Sequence, residues 1–132
     1  MSDENVEIIL ETTRLFDAGD FNAARKFLHP DSVLTPPDGW PEAGPFIGRD
    51  AVIAQYEQIW AQFEAQAIKV KNVAARGDWV ILDYEWKVRG AGSGVDVEFD
   101  VTAVSRFEGG LIREAHHRWD HDKAIEAAGL SE

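Results

Sequence analysis

FEGGLIREAHHRWD, residues 107–120, reads as the end of one strand, a tight turn and a second strand. Gly109-Gly110 supplies the backbone freedom that a two-residue hairpin turn demands. Beyond the turn, side chains alternate between the two faces of the strand. Leu111, Arg113, Ala115, His117 and Trp119 fall on one face; Ile112, Glu114, His116 and Arg118 fall on the other. Adjacent histidines on a strand point opposite ways, so at most one looks into whatever the sheet encloses. A bulge after Gly110 would shift this parity and exchange the two.

The preceding stretches carry the same period. Trp79 to Arg89 alternates, with Val80, Leu82, Tyr84, Trp86 and Val88 on one face and Trp79, Ile81, Asp83, Glu85, Lys87 and Arg89 on the other. Asp96 to Phe107 follows, with Val97, Phe99, Val101 and Ala103 opposing Asp96, Glu98, Asp100 and Thr102. The glycine-rich loop between them, residues 90–94, lacks the lysine and following helix of a phosphate-binding loop. Residues 65–75 read as a further strand of weak register, with Lys69 and Lys71 outward of Ile68 and Val70.

Upstream the period changes to that of a helix. Val6, Ile9, Leu10, Thr13 and Phe16 recur at spacings of three and four, Gly19 ends that helix and Asp20 caps a short second one that Pro30 stops. Residues 49–63 form a third, with Val52, Ile53, Tyr56, Ile59, Trp60 and Phe63 on one broad apolar face. Between them, residues 36–45 form a proline-stiffened loop carrying Trp40. Two readings of Trp40 stand: a plug in the core, or a wall or lid of a pocket. A short C-terminal helix begins at Asp120 or Asp122 and closes on Gly129-Leu130. Strands joined by tight turns pair antiparallel, and helices gathered on such a sheet make an α+β domain over residues 1–132.

Composition narrows the partners. The chain has 132 residues, 24 acidic against 13 basic, and a net charge of −11, a field that repels nucleic acid and anionic membranes. No apolar run is long enough to span a bilayer, no signal peptide is evident at MSDENVEI, and there is no cysteine, which together fit a cytoplasmic chain. Five tryptophans, two tyrosines and seven phenylalanines in so short a chain point to a core, a lined pocket or an interface.

Four stretches in order resemble the NTF2-like superfamily, in particular its SnoaL-like branch: FDAGDFNAARKFLHPDSV, GPFIGRDAVIAQYEQIW, GDWVILDYEWKV and FEGGLIREAHHRWDHDKAIEAAGL. The resemblance implies a cone: three N-terminal helices packed on a strongly curved, mostly antiparallel sheet, with a short C-terminal helix and a hollow between. It also implies pairing of two copies through the outer sheet face, where Trp79, Ile81, Val104, Ile112 and His116 stand among charges. The family includes polyketide cyclases, steroid isomerases, epoxide hydrolases and dehydratases, so it licenses the hollow and not the reaction.

Within that resemblance His117 takes the position, three residues before Asp120, where members active as isomerases, cyclases or epoxide-opening enzymes often carry an aspartate. An imidazole there can accept a proton at neutral pH, bind a ligand oxygen, or simply bond across the strands. Tyr84 and Trp86 replace the arginine and aspartate of the epoxide-opening relatives, which argues against that chemistry; the Tyr84 hydroxyl can donate to a substrate oxygen or serve only in packing. Steroid-isomerase relatives carry a tyrosine on the first helix where this chain has Phe16, so Tyr56 substitutes for it only if it faces the hollow. The expected catalytic pair is His117 and Tyr84. The expected cavity wall is Trp40, Tyr56, Trp60, Tyr84, Trp86, Phe99, Val101, His117 and Trp119. No spacing motif supports a metal site, although His29 and Asp31 stand near the expected rim, and no cofactor is expected. The expected ligand is a small apolar or aromatic molecule. The leading activity is isomerase, cyclase or lyase chemistry by proton transfer beside a carbonyl. The alternatives are a non-catalytic carrier of a small apolar ligand and a structural dimerising domain.

Overall fold

The computed structural model describes residues 2–130. Helix α1 (Ser2–Asp17) buries Ile9, Thr12 and Leu15. The chain leaves it through Gly19, at φ 75°. A β-carbon there would meet the Trp60 ring at 2.7 Å, so both handedness and space require glycine. Asp20 accepts from the Ala23 N–H at 3.2 Å and caps α2 (Phe21–Ala24). A 3-10 turn over Arg25–Phe27 then leads into β1 (Leu28–Thr35). The expectation that Pro30 stops the helix is therefore corrected. The helix is already over, and Pro30 lies in the irregular part of β1, where a missing N–H costs the ladder little.

After the proline-rich loop come β2 (Phe46–Ile47), α3 (Arg49–Ala61), β3 (Phe63–Arg76), β4 (Trp79–Gly90), β5 (Asp96–Glu108), β6 (Leu111–Arg118) and α4 (His121–Ala127). The strands form one curved, open, mixed sheet in the order β2-β1-β6-β5-β4-β3, antiparallel except for the β1–β6 pair. Helices α1 to α3 lie on its concave face and α4 on its convex face, so the α+β cone is the observed architecture.

Three local departures matter for the site. Helix α3 ends at Ala61 rather than at Phe63; Phe63 opens β3 and packs edge-on against Trp86, ring centroids 5.5 Å apart. In β3, Val70 pairs with Tyr84 and Asn72 with Asp83, so Lys71 is an extra residue. That bulge turns Val73 and Ala75 inward, opposite Leu82 and Val80, and lets Lys71 reach Asp100 at 3.1 Å. Val70, opposite Tyr84, keeps the same face as Ile68, opposite Trp86, as the alternation predicts, although on this edge strand it remains 39% exposed.

The third departure is in β6. Arg106 pairs with Glu114 and Phe107 with Ile112, which leaves Arg113 as a bulged residue. Parity counted back from His117 holds to Ala115 and breaks at Arg113. Ile112 consequently joins the inner core with Leu28, Leu34 and Phe107 instead of lying on the outer face. On the convex side, Ile81 and Val104 are buried beneath Ala124 and Ile125 of α4, with Trp79 and Leu130 packed around them. Burying an aliphatic side chain of this size contributes about 2 kcal/mol, enough to hold a short helix in place. Of the five residues that suggest outer-face pairing, Ile81, Val104 and Ile112 are thus covered by the chain itself.

Candidate functional site

The concave face and helices α1 and α3 enclose a cavity of about 140 Å³. Sheet register orders its wall. Inner-face residues of neighbouring strands fall in rows: Leu34, Ala115 and Ser105 in one, then His117, Ala103 and Leu82, then Val101 and Tyr84, then Phe99 and Trp86. The first row lies toward the core end of the cone and the last toward its mouth.

His117 occupies the middle. Its Nε2 lies 3.3 Å from the Tyr56 hydroxyl and its Nδ1 3.3 Å from the Tyr84 hydroxyl. Both contacts are long for hydrogen bonds of this type. Tyr56 faces the hollow because its ring stacks on Phe16, centroids 4.1 Å apart at 19°. Phe16 of the first helix thus packs against the Tyr56 ring of the third. His116 points outward, where Thr35 lies 3.0 Å from its Nδ1 and Glu114 2.8 Å from its Nε2.

Burial lowers the His117 pKa from 6.5 to about 4, helped by the positive charges of His116 and Arg118. Burial raises the pKa values of both tyrosines, that of Tyr84 further through Tyr56. At neutral pH the three groups are uncharged. A neutral imidazole has one N–H. One tyrosine accepts that hydrogen and keeps its own free to donate into the cavity, while the other donates to the bare ring nitrogen.

Aromatic rings form the mouth. Trp40 lies against Trp86 and Trp119, with centroids at 5.8 and 6.5 Å. The Trp119 indole N–H donates to the Asp38 carbonyl at 2.8 Å, and Gln58 donates to Glu42 at 2.6 Å. The proline-rich loop is thereby tied to both β6 and α3, with Trp40 in the cavity wall. The Trp86 indole N–H donates to Gln66 at 3.2 Å, and Trp60 lines the cavity while remaining 42% exposed. Val101 and Trp119 also line it. Phe99 does not: it stands behind Trp86 and Trp119, at 5.6 and 5.3 Å, so its place in the expected wall is corrected to that of a backing residue.

Among the described residues no aspartate, glutamate, lysine or arginine lines the cavity. Glu42 is engaged with Gln58, and His29 contacts Glu108 at 3.3 Å outside the wall. Among the described residues no three histidine or carboxylate side chains converge as metal ligands would. Sequence reasoning missed Gln55 and Ser32, both lining the cavity at 3% and 2% exposure. The signal was a polar residue on the apolar face of α3, between Val52 and Ile59.

With this geometry the chain falls among proteins of the NTF2-like fold. It belongs to the SnoaL-like domain family, whose pattern it matches over residues 9–115. It is similar in structure to Bal32a from a soil-derived mobile gene cassette, with 18% identity over 88% of each chain and a TM-score of 0.81. An NTF2-like protein of unknown function from Burkholderia pseudomallei K96243 shares 21% identity over 93% of this chain and 95% of its own, with a TM-score of 0.79. A ketosteroid isomerase-like protein from Catenulispora acidiphila DSM 44928, solved with trimethylamine, shares 14% identity over 95% and 94%, with a TM-score of 0.76. At such identities the likeness establishes the fold alone. Among curated proteins none matches the chain in sequence.

Proposed function

We propose that the cavity binds a small, neutral, largely apolar carbonyl compound and moves a proton on the carbon beside the carbonyl, as an isomerase, cyclase or lyase does. The observation that carries this reading is the uncharged His117 between two tyrosine hydroxyls in a cavity with no charged wall. A nitrogen of His117 takes the α-proton, the electron pair of the broken C–H bond moves onto the carbonyl oxygen, and a tyrosine hydroxyl donates to that oxygen. Returning the proton to a different carbon completes an isomerisation. An imidazole with a pKa of about 4 has nearly the proton affinity of an ordinary aspartate. The exchange of aspartate for histidine at this position therefore keeps the base strength while removing the charge.

A one-ring probe tests this: conversion of cyclohex-3-enone to cyclohex-2-enone, followed by the ultraviolet band of the conjugated product. Wild-type protein should accelerate it, His117→Gln should abolish the acceleration, and His116→Ala should preserve it. Equal loss in both variants refutes the role of His117. Saturable binding of the probe without turnover by wild type favours the carrier reading.

A further inference from the structure

Among the described residues the mechanism leaves three buried polar groups of the cavity wall unused: the Trp40 indole N–H at the mouth, and two groups deeper in. The Gln55 amide nitrogen and the Ser32 hydroxyl have no hydrogen-bond partner, though their residues are 3% and 2% exposed and both line the cavity. Groups so placed are costly unless something bonds to them. Their position follows from register and helix direction. Leu28 stands opposite Ile112 and Val33 opposite Glu114, so Ser32 lies near the level of Arg113 on β6, about four residues toward the core from His117. Helix α3 enters beside the core cluster at Val52 and Ile53 and leaves near Trp86 at Ile59. Side chains on a helix lean toward its N-terminus, which carries the Gln55 amide toward the closed end.

We infer that Gln55 and Ser32 form a second polar subsite at the closed end of the cavity, which selects a ligand bearing an oxygen function across one ring from its carbonyl. The inference rests on reading the cavity as a ligand site. With Arg113 bulged, this separation is three to four ladder steps, roughly 10–13 Å. Two hydrogen bonds of about 3 Å each leave about 4–7 Å, a range that contains the roughly 5.5 Å between oxygens on opposite carbons of a six-membered ring. The cavity volume agrees: 140 Å³ is close to that of an engineered cavity that holds one benzene. The uncharged wall requires both oxygens to be neutral, as carbonyl, hydroxyl or ether. The Gln55 amide donates to the distal oxygen, and Ser32 donates or accepts.

Three probes separate the two ends: 4-hydroxycyclohexanone, cyclohexanone and cyclohexanol, titrated by NMR into the full chain. Wild type should bind 4-hydroxycyclohexanone about tenfold more tightly than either single-oxygen probe. In Gln55→Leu the preference should fall to within about twofold, while the ligand-free melting temperature holds or rises because an unpartnered amide has gone. Ser32→Ala should reduce the preference by a smaller factor, again without loss of stability. Equal affinities in wild type, or a preference retained in Gln55→Leu, overturn the subsite while leaving the cavity reading intact. A fall of more than about 8 °C in ligand-free Gln55→Leu makes the amide structural and also overturns it. If none of the three probes binds wild type, the cavity reading fails and the subsite with it.

Discussion

His117 should make the fold acid-sensitive in a window set by its own pKa. Burial lowers that pKa from 6.5 to about 4, so the unfolded chain holds the proton more tightly than the folded one. Stability contributed by the neutral ring is full above pH 6.5 and drains away as pH falls toward 4. At pH 5 the loss from this one group is about 2 kcal/mol, and below pH 4 it approaches about 3 kcal/mol. For a chain of this length 2 kcal/mol corresponds to about 8 °C in melting temperature. His117→Gln keeps a donor and an acceptor near Tyr56 and Tyr84 but does not titrate. Urea unfolding at pH 8 and pH 5, for wild type and variant, isolates the term, because every other group titrates in both. The pH-dependent drop should be about 2 kcal/mol smaller in the variant. Equal drops refute the argument, as does an NMR titration that finds the His117 ring protonating near pH 6.5.

Two further substitutions probe the supports of the site. Tyr56→Phe and Tyr84→Phe should each cost about 1 kcal/mol, and because both hydroxyls meet one imidazole the double variant should depart from additivity by about 0.5 kcal/mol or more in urea unfolding. Gly19→Ala should cost about 2 kcal/mol, since φ is 75° and the added carbon meets the Trp60 ring; combining it with Trp60→Leu should recover part of that loss, measured by thermal unfolding.

The parts of the fold carried by period were legible in the sequence. The face of β4 bearing Val80, Leu82, Tyr84, Trp86 and Val88 reads directly from alternation, as does the opposition of His116 and His117. The bulges were not legible, because an extra residue breaks a period of two without any local signature. Lys71 and Arg113 are ordinary strand residues in sequence, yet they decide that Val73 and Ile112 face in. The covering of Ile81 and Val104 by α4 depends on where a short helix returns, which no strand pattern encodes. At the site, the aromatic wall was readable because large apolar rings announce themselves. Phe99 was misplaced because parity gives the face of a strand and not the depth behind a neighbouring ring. Gln55 was passed over because a polar residue amid an apolar stripe counts against the stripe, although its burial makes it informative.

Histidine at position 117 gives the proposed reaction a coupling that a carboxylate would not. In the resting site one tyrosine donates its hydroxyl hydrogen to the bare imidazole nitrogen, and that hydrogen is unavailable to a ligand. When the imidazole takes a proton both ring nitrogens become donors, so both tyrosines turn to accepting from the ring. The bare nitrogen has a single lone pair, so the hydroxyl hydrogen tied to it turns away before the α-proton can reach that nitrogen, and it is then free to donate to the ligand oxygen. The site thus offers two hydroxyl donors to the ligand oxygen as negative charge develops on it. An aspartate base only accepts hydrogen bonds when ionised and, on taking the proton, becomes neutral. It would leave the oxyanion without the compensating positive charge that imidazolium supplies inside the same uncharged wall.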